Sequence, residues 1–64
     1  MTGEIVKKFG QKGFGFILAD GGKEIFFHVS NCTTRFDDLN EGDSVEFETE
    51  NSPKGLRAIR VKAV

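Results

Sequence analysis

Cysteine, histidine and proline each occur only once in this sequence of 64 residues, and tryptophan and tyrosine do not occur at all. Cys32 therefore cannot form an internal disulfide, and together with His28 it provides only two of the four ligands of a structural zinc site. No apolar run is long enough to span a membrane, and no charged leader precedes an apolar block at the N-terminus. Because a lone thiol suits a reducing compartment, we expect a cytoplasmic protein with no metal, no cofactor and no membrane partner.

The chain is short for a folded protein. We expect a single domain over residues 1–64, since independently folding units usually contain about a hundred residues or more. A chain of this size buries only about 60% of the surface that it exposes when unfolded, which is near the lower limit for folding without a disulfide or a metal. The core must therefore be built from aliphatic and aromatic side chains.

Charge is unevenly distributed along the chain, although the net charge is only −1. The segment from Asp37 to Glu50 contains seven acidic residues and no basic one, whereas the rest of the chain has nine basic and three acidic residues. We interpret the acidic run as a solvated face that lies away from any anionic partner.

Five short runs of alternating or β-branched residues predict an all-β fold in which five strands close into a small barrel. The predicted strands are Glu4–Phe9, Gly13–Ala19, Glu24–Val29, Ser44–Glu50 and Leu56–Val64. Glycine-rich or proline-containing turns follow the first, second and fourth of them, and the polar segment Ser30–Asn40 is long enough to cross from one edge of the barrel to another. In the last strand, the alternation predicts Ile59 and Val61 inside and Arg60 and Lys62 outside.

The second and third predicted strands divide into two unlike faces. One face carries Ile17, Ile25 and Phe27, a set suited to a core, with Val45 and Phe47 added from the fourth strand. The opposite face carries Lys12, Phe14, Phe16, Phe26 and His28. The alternation also predicts a spacing of about 6.6 Å between the rings of Phe14 and Phe16.

The mixed face has two interpretations. If Phe14, Phe16 and Phe26 all joined Phe27 inside, a core of this size would be overfilled, and burying an unpaired lysine and histidine would cost several kcal/mol. If the rings face water, they can stack on unpaired nucleobases at about 1–3 kcal/mol per base, while neighbouring lysines neutralise phosphates. We favour the second interpretation.

The segment Lys12-Gly13-Phe14-Gly15-Phe16-Ile17 resembles the first ribonucleoprotein motif of the cold-shock domain family in full, and Phe26-Phe27-His28 followed by Ser30 is similar to the second. This family consists of five-stranded OB-fold barrels that bind single-stranded RNA and DNA. The resemblance therefore implies an all-β, five-stranded antiparallel OB-fold barrel for this chain. The resemblance implies base stacking by five side chains, Phe14, Phe16, Phe26, His28 and Phe36. It implies backbone contacts by Lys7, Lys12 and Lys54.

The chain also departs from the family pattern next to these motifs. Lys8 stands before Phe9 where family members commonly have a tryptophan, and both residues are expected to belong to the binding face. Val29 replaces an aromatic residue that often follows the histidine. We therefore expect fewer stacked bases, weaker binding and a steeper salt dependence than in a relative with the tryptophan.

These features predict a single-stranded nucleic-acid-binding protein of low sequence specificity. The resemblance implies an RNA chaperone or a regulator of transcription or translation, with a role in cold adaptation. The alternative is a protein-interaction module that uses the same exposed rings. No small-molecule substrate and no enzymatic activity are expected, because Ser30 and Thr33 have no general base in a recognisable arrangement and Gly13-Phe14-Gly15 lacks the helix of a nucleotide-binding loop.

Overall fold

The computed structural model describes residues Met1–Val64 and consists of five β-strands, joined by short turns except for a longer connection between the third and the fourth. The strands are β1 (Thr2–Phe9), β2 (Phe14–Ala19), β3 (Glu24–His28), β4 (Ser44–Ser52) and β5 (Gly55–Ala63). Two short 3-10 turns, Val29–Asn31 and Phe36–Asp38, interrupt the connection between β3 and β4. The strands form a closed barrel in the order β1-β2-β3-β5-β4, which confirms the predicted all-β barrel. No helix here has the length and apolar character needed to cross a membrane.

The barrel is not antiparallel throughout, as the sequence had led us to expect. Four neighbouring pairs are antiparallel, but β3 and β5 run parallel, with Phe26 opposite Arg57 and Phe27 opposite Ala58. The reason is topological, since strand directions cannot alternate all the way around a closed ring with an odd number of strands. One parallel pair is therefore required, and here it lies beside the ribonucleoprotein-like motifs.

The predicted strand ends differ from the observed ones by one residue at Gly13, Val29, Leu56 and Val64, and by two residues at Glu4 and Glu50. Gly13 lies in a turn with φ of +73°. This left-handed conformation keeps Gly13 out of β2, which begins at Phe14. Val29 begins the first 3-10 turn, although its backbone N–H still donates to the Gly13 carbonyl at 2.8 Å.

A bulge in β5 overturns the predicted inward position of Ile59. Glu48 is opposite Ile59 while Glu46 is opposite Lys62, so β5 contains an extra residue in this stretch, and Arg60 there has a φ of +53°. An extra residue shifts the alternation of side chains between the two faces. Ala58 is consequently buried together with the correctly predicted Val61, while Ile59 is only half-buried.

The core collects side chains from all five strands and from the β3–β4 connection. The predicted inward residues of β2, β3 and β4 are all buried there, as expected. Phe36 and Leu39 come from the segment that had been predicted to be polar, and they close one end of the barrel. The full core consists of Ile5, Ile17, Ala19, Ile25, Phe27, Phe36, Leu39, Val45, Phe47, Ala58 and Val61.

Candidate nucleic-acid interface

Four phenylalanine rings form one continuous cluster on the outside of the barrel, here called the four-ring surface: Phe9, Phe14, Phe16 and Phe26. The ring centroid of Phe14 lies 5.0 Å from that of Phe9, 5.5 Å from that of Phe26 and 6.3 Å from that of Phe16. The last distance is close to the spacing that the strand geometry predicts. The centroids of Phe16 and Phe26 are 5.9 Å apart, so the cluster is compact.

None of these rings belongs to the core. Phe9 is 41% exposed and the other three rings are half-buried, whereas Phe27, the neighbour of Phe26 in β3, is completely buried. The interpretation that places all the rings of β2 and β3 inside the barrel is therefore excluded. The structure confirms that the two strands divide into a core face and an outward aromatic face.

Strand register and one glycine produce this arrangement. Phe14 is opposite Phe9 on one side and His28 on the other, so residues from three strands meet on the same outward face. Beneath them Gly15 faces the core, where an added Cβ would lie 2.8 Å from a ring carbon of Phe27 and would also clash with the Lys7 carbonyl oxygen. Glycine is needed here because the Phe27 ring packs directly against the backbone.

His28 has a defined hydrogen-bonding role at the edge of the four-ring surface. Its Nδ1 accepts a hydrogen bond from the Ser30 backbone N–H at 3.1 Å and lies 2.9 Å from Ser30 Oγ. A backbone N–H can only donate, so Nδ1 is the acceptor and the neutral ring carries its proton on Nε2. His28 therefore has an Nε2–H group available as a donor for a ligand.

The predicted lysines lie in different places around the surface. Lys7 is opposite Phe16 and exposed, while Lys12 and Lys54 are exposed in the β1–β2 and β4–β5 turns. Lys8 is opposite Gly15 instead, and its ammonium lies 4.9 Å from the ring centroid of Phe36. Lys8 is therefore separated from the four-ring surface and makes a cation–π contact at the end of the barrel.

Phe36 lies apart from the other rings that were assigned to stacking. Only 7% of it is exposed, its centroid is 6.0 Å from that of Phe27, and Lys8 lies over its ring. It lines a cavity of about 450 Å³ next to the β1–β2 turn, together with Gly10, Gln11, Lys12, Gly13, Val29, Arg35 and Asp37. Stacking on the face of Phe36 therefore requires Lys8 to move.

Sequence reasoning missed one basic residue next to the rings. Arg57 is opposite Phe26 across the parallel β3–β5 pair, and its guanidinium is bound to Glu50 of β4, with an Nε to Oε1 distance of 2.6 Å. Glu50, which belongs to the acidic run, therefore lies nearer to the aromatic face than expected, and its charge is paired with that of Arg57. The position of Arg57 could have been predicted from the strand order of the barrel, which brings β5 beside β3.

Cys32 and the acidic side chains do not form a second site. No group of three or more histidine, cysteine, aspartate or glutamate side chains is placed to hold a metal ion. Burial raises the pKa of the Cys32 thiol from 9.0 to about 11, so the thiol is protonated at neutral pH.

The raised pKa of Cys32 predicts low reactivity in the folded protein. At pH 8 we expect alkylation by iodoacetamide to be about 100-fold slower in the folded protein than in urea, because the thiolate fraction falls in proportion to the shift. Mass spectrometry of quenched time points measures both rates. Equal rates in the two conditions would show that the thiol is not desolvated by the fold.

Comparison with known proteins relates this geometry to a family. The sequence model described as the 'Cold-shock' DNA-binding domain matches residues 1–64. The chain is 48% identical over 67 aligned residues to the cold shock-like protein CspI of Escherichia coli K12, covering 100% of this chain and 94% of that protein. It is 40% identical over 62 residues to the cold shock-like protein CspE of Bacillus anthracis, covering 95% and 92% of the two chains.

A solved structure has a similar fold. Drosophila Unr CSD456 superimposes with a TM-score of 0.73 at 29% sequence identity, and the match covers 98% of this chain. The matched part is only 26% of that longer chain, so the barrel described above corresponds to one portion of it.

Proposed function

Because this chain belongs to the cold-shock domain family and is a nucleic-acid-binding protein, we propose that the four-ring surface is the site at which it binds single-stranded RNA and DNA. We propose that residues 1–64 act as one domain in this role. The observation that carries the proposal is the cluster of four phenylalanine rings outside a core that is already complete. Flat apolar groups on a protein surface suit the faces of unpaired bases.

The ring orientations suggest how a strand would lie. The planes of Phe9 and Phe26 are tilted by 37° and 34° from the plane of Phe14, so these three adjoining rings form a bent platform. Phe16 is close to perpendicular to Phe14, at 88°, and stands at the side of the platform. Consecutive bases can therefore stack along the platform, with Phe16 bordering the base next to Phe26.

Polar groups at the border complete the proposed site. His28 Nε2–H donates to a base or phosphate oxygen beside Phe14, since its Nδ1 is occupied by Ser30. Lys7, Lys12 and Lys54 neutralise phosphates around the rings. Lys8 adds charge at the Phe36 end of the barrel, where the resemblance had implied a further stacking position.

Such binding accounts for RNA chaperone activity without catalysis. A protein that binds only unpaired strands shifts the equilibrium between a hairpin and its open form towards the open form, by mass action and without ATP. Stacking is tolerant of base identity, which agrees with low overall sequence specificity. We propose that the chain acts in this way on cytoplasmic RNA, in the regulation of transcription or translation and in adaptation to cold, and that it has neither an enzymatic activity nor a small-molecule substrate.

Fluorescence anisotropy with labelled oligothymidine and oligouridine, at two salt concentrations, tests the proposal. We expect saturable binding to both, with a weaker affinity at the higher salt concentration. Failure to bind either oligomer at low salt would contradict the proposal and favour the alternative, a protein-interaction surface.

The basic residues at the border predict a defined change in salt dependence. For Lys12→Gln we expect the slope of log K against log salt to fall by about 0.7, the value for one phosphate contact on a single strand. Lys23→Gln is the matched control, since Lys23 is also exposed but lies in the β2–β3 turn. If Lys12→Gln and the wild type had the same slope, Lys12 would not contact a phosphate in the complex.

A further inference from the structure

A cavity of about 480 Å³ lies beside Phe26, on the side facing β5 and away from the other rings. Its lining combines apolar and cationic groups: Phe26, Ser52, Pro53, Lys54, Leu56 and Arg57. Leu56 is 42% exposed although it is a large apolar residue. The cavity is large enough for one nucleobase and continues the path of the four-ring surface.

Arg57 lines this cavity, and one edge of its guanidinium is bound to Glu50. Both its Nε and its Nη2 contact the same Glu50 oxygen, Oε1. Glu50 therefore occupies the Nε side of the guanidinium and fixes its plane. The hydrogens of the opposite edge, on Nη1 and Nη2, have no hydrogen-bond partner within the protein, so they are available to a ligand.

We propose that this cavity binds a guanine base and gives the protein a base preference at one position of the strand, an inference that rests on the proposed function. Guanine has two acceptors, N7 and O6, on a single edge, which matches two parallel N–H groups of arginine. Adenine and cytosine present an amino donor at the corresponding place, and thymine offers only one acceptor there. Glu50 acts as a positioning residue, since it holds the guanidinium and does not itself contact the base.

A phosphate group is the other ligand that fits a free arginine edge. The walls of the cavity favour a base, because Phe26, Pro53 and Leu56 supply apolar surface that a flat heterocycle covers and a phosphate leaves in water. Lys54 at the rim is then free to neutralise the phosphate that follows the base.

The test compares heptathymidine with oligomers in which a single guanine replaces thymine at each position in turn, all measured with the wild-type protein. We expect one position at which guanine lowers the Kd about fivefold or more. The same position substituted with 7-deazaguanine, which lacks the N7 acceptor, is expected to lose most of this gain. For Arg57→Lys we expect the ratio of guanine to thymine affinity to fall close to one, since lysine keeps the charge but not the paired donors. For Glu50→Gln we expect a smaller reduction of the same ratio.

The second arginine–glutamate pair on the same two strands provides a matched control. Arg60 Nη1 donates to Glu48 Oε2 at 2.9 Å, and neither residue lines the cavity beside Phe26. Arg60→Lys and Glu48→Gln are expected to keep the wild-type ratio.

Three results would overturn the inference: equal affinities for guanine and thymine at every position, a 7-deazaguanine oligomer that binds like guanine, or an Arg57→Lys protein with the full preference. Absence of binding to heptathymidine itself would instead contradict the proposed function.

Discussion

The Phe14→Ala, Phe26→Ala double variant is expected to bind oligothymidine at least about 30-fold more weakly than the wild type, because stacking is worth about 1–3 kcal/mol per base and two platforms are lost. The two rings are at the centre of the four-ring surface, with their centroids 5.5 Å apart and their planes tilted by 34°. Their removal also leaves Phe9 and Phe16 without the ring that joins them. No remaining pair of rings then forms a platform for consecutive bases.

Fluorescence anisotropy measures the loss, and far-UV circular dichroism with an amide spectrum reports whether the barrel persists. The four rings also pack on one another, so some loss of stability accompanies the alanine substitutions. The Phe14→Leu, Phe26→Leu variant keeps most of the apolar volume while removing the flat faces. We expect it to stay folded and to lose a similar share of the affinity. If the leucine variant bound as tightly as the wild type, base stacking by these rings would be ruled out.

The Phe27→Ala variant is expected to lose about 3–5 kcal/mol of unfolding free energy, since a completely buried phenylalanine is replaced by a cavity. The total stability of a chain of this size is roughly 3–10 kcal/mol. A loss of this size lowers the melting temperature by at least about 12 °C and equals or exceeds the total stability at the low end of that range.

Phe26→Ala is the informative comparison, because the substitution is identical and the position is the next one in β3. The half-buried Phe26 ring contacts other surface rings, and Phe26→Ala is expected to be clearly the more stable of the two variants. Thermal melts followed by circular dichroism give both values. Equal losses of stability in the two variants would mean that Phe26 belongs to the core as fully as Phe27 does. The two variants thus distinguish a residue that contributes mainly to binding, Phe26, from one that contributes mainly to stability, Phe27.

Much of the candidate site follows from local regularities of the sequence. Side chains of a strand alternate between its two faces, so the positions of Phe14, Phe16 and Phe26 relative to Ile17 and Phe27 could be predicted from their spacing alone. The tight turn between β2 and β3 joins them as an antiparallel pair, which places their outward rings together. These features depend on residues that are near one another in the chain.

Other features of the same surface depend on contacts between distant segments, which the local pattern does not encode. Phe36 is covered by Lys8 only because the β3–β4 connection folds back over the end of the barrel. No glycine in the sequence predicts the bulge in β5, since Arg60 itself adopts the left-handed conformation there.

The all-β class and the division of β2 and β3 into a core face and an aromatic face can both be predicted from the order of the residues, because they result from alternation within single strands and from tight turns. The parallel pairing of β5 with β3, which brings Arg57 and Glu50 next to Phe26, is established only when the distant strands assemble into the barrel. Closure of a five-stranded ring requires one parallel pair, and no single segment carries a signal for which pair it is.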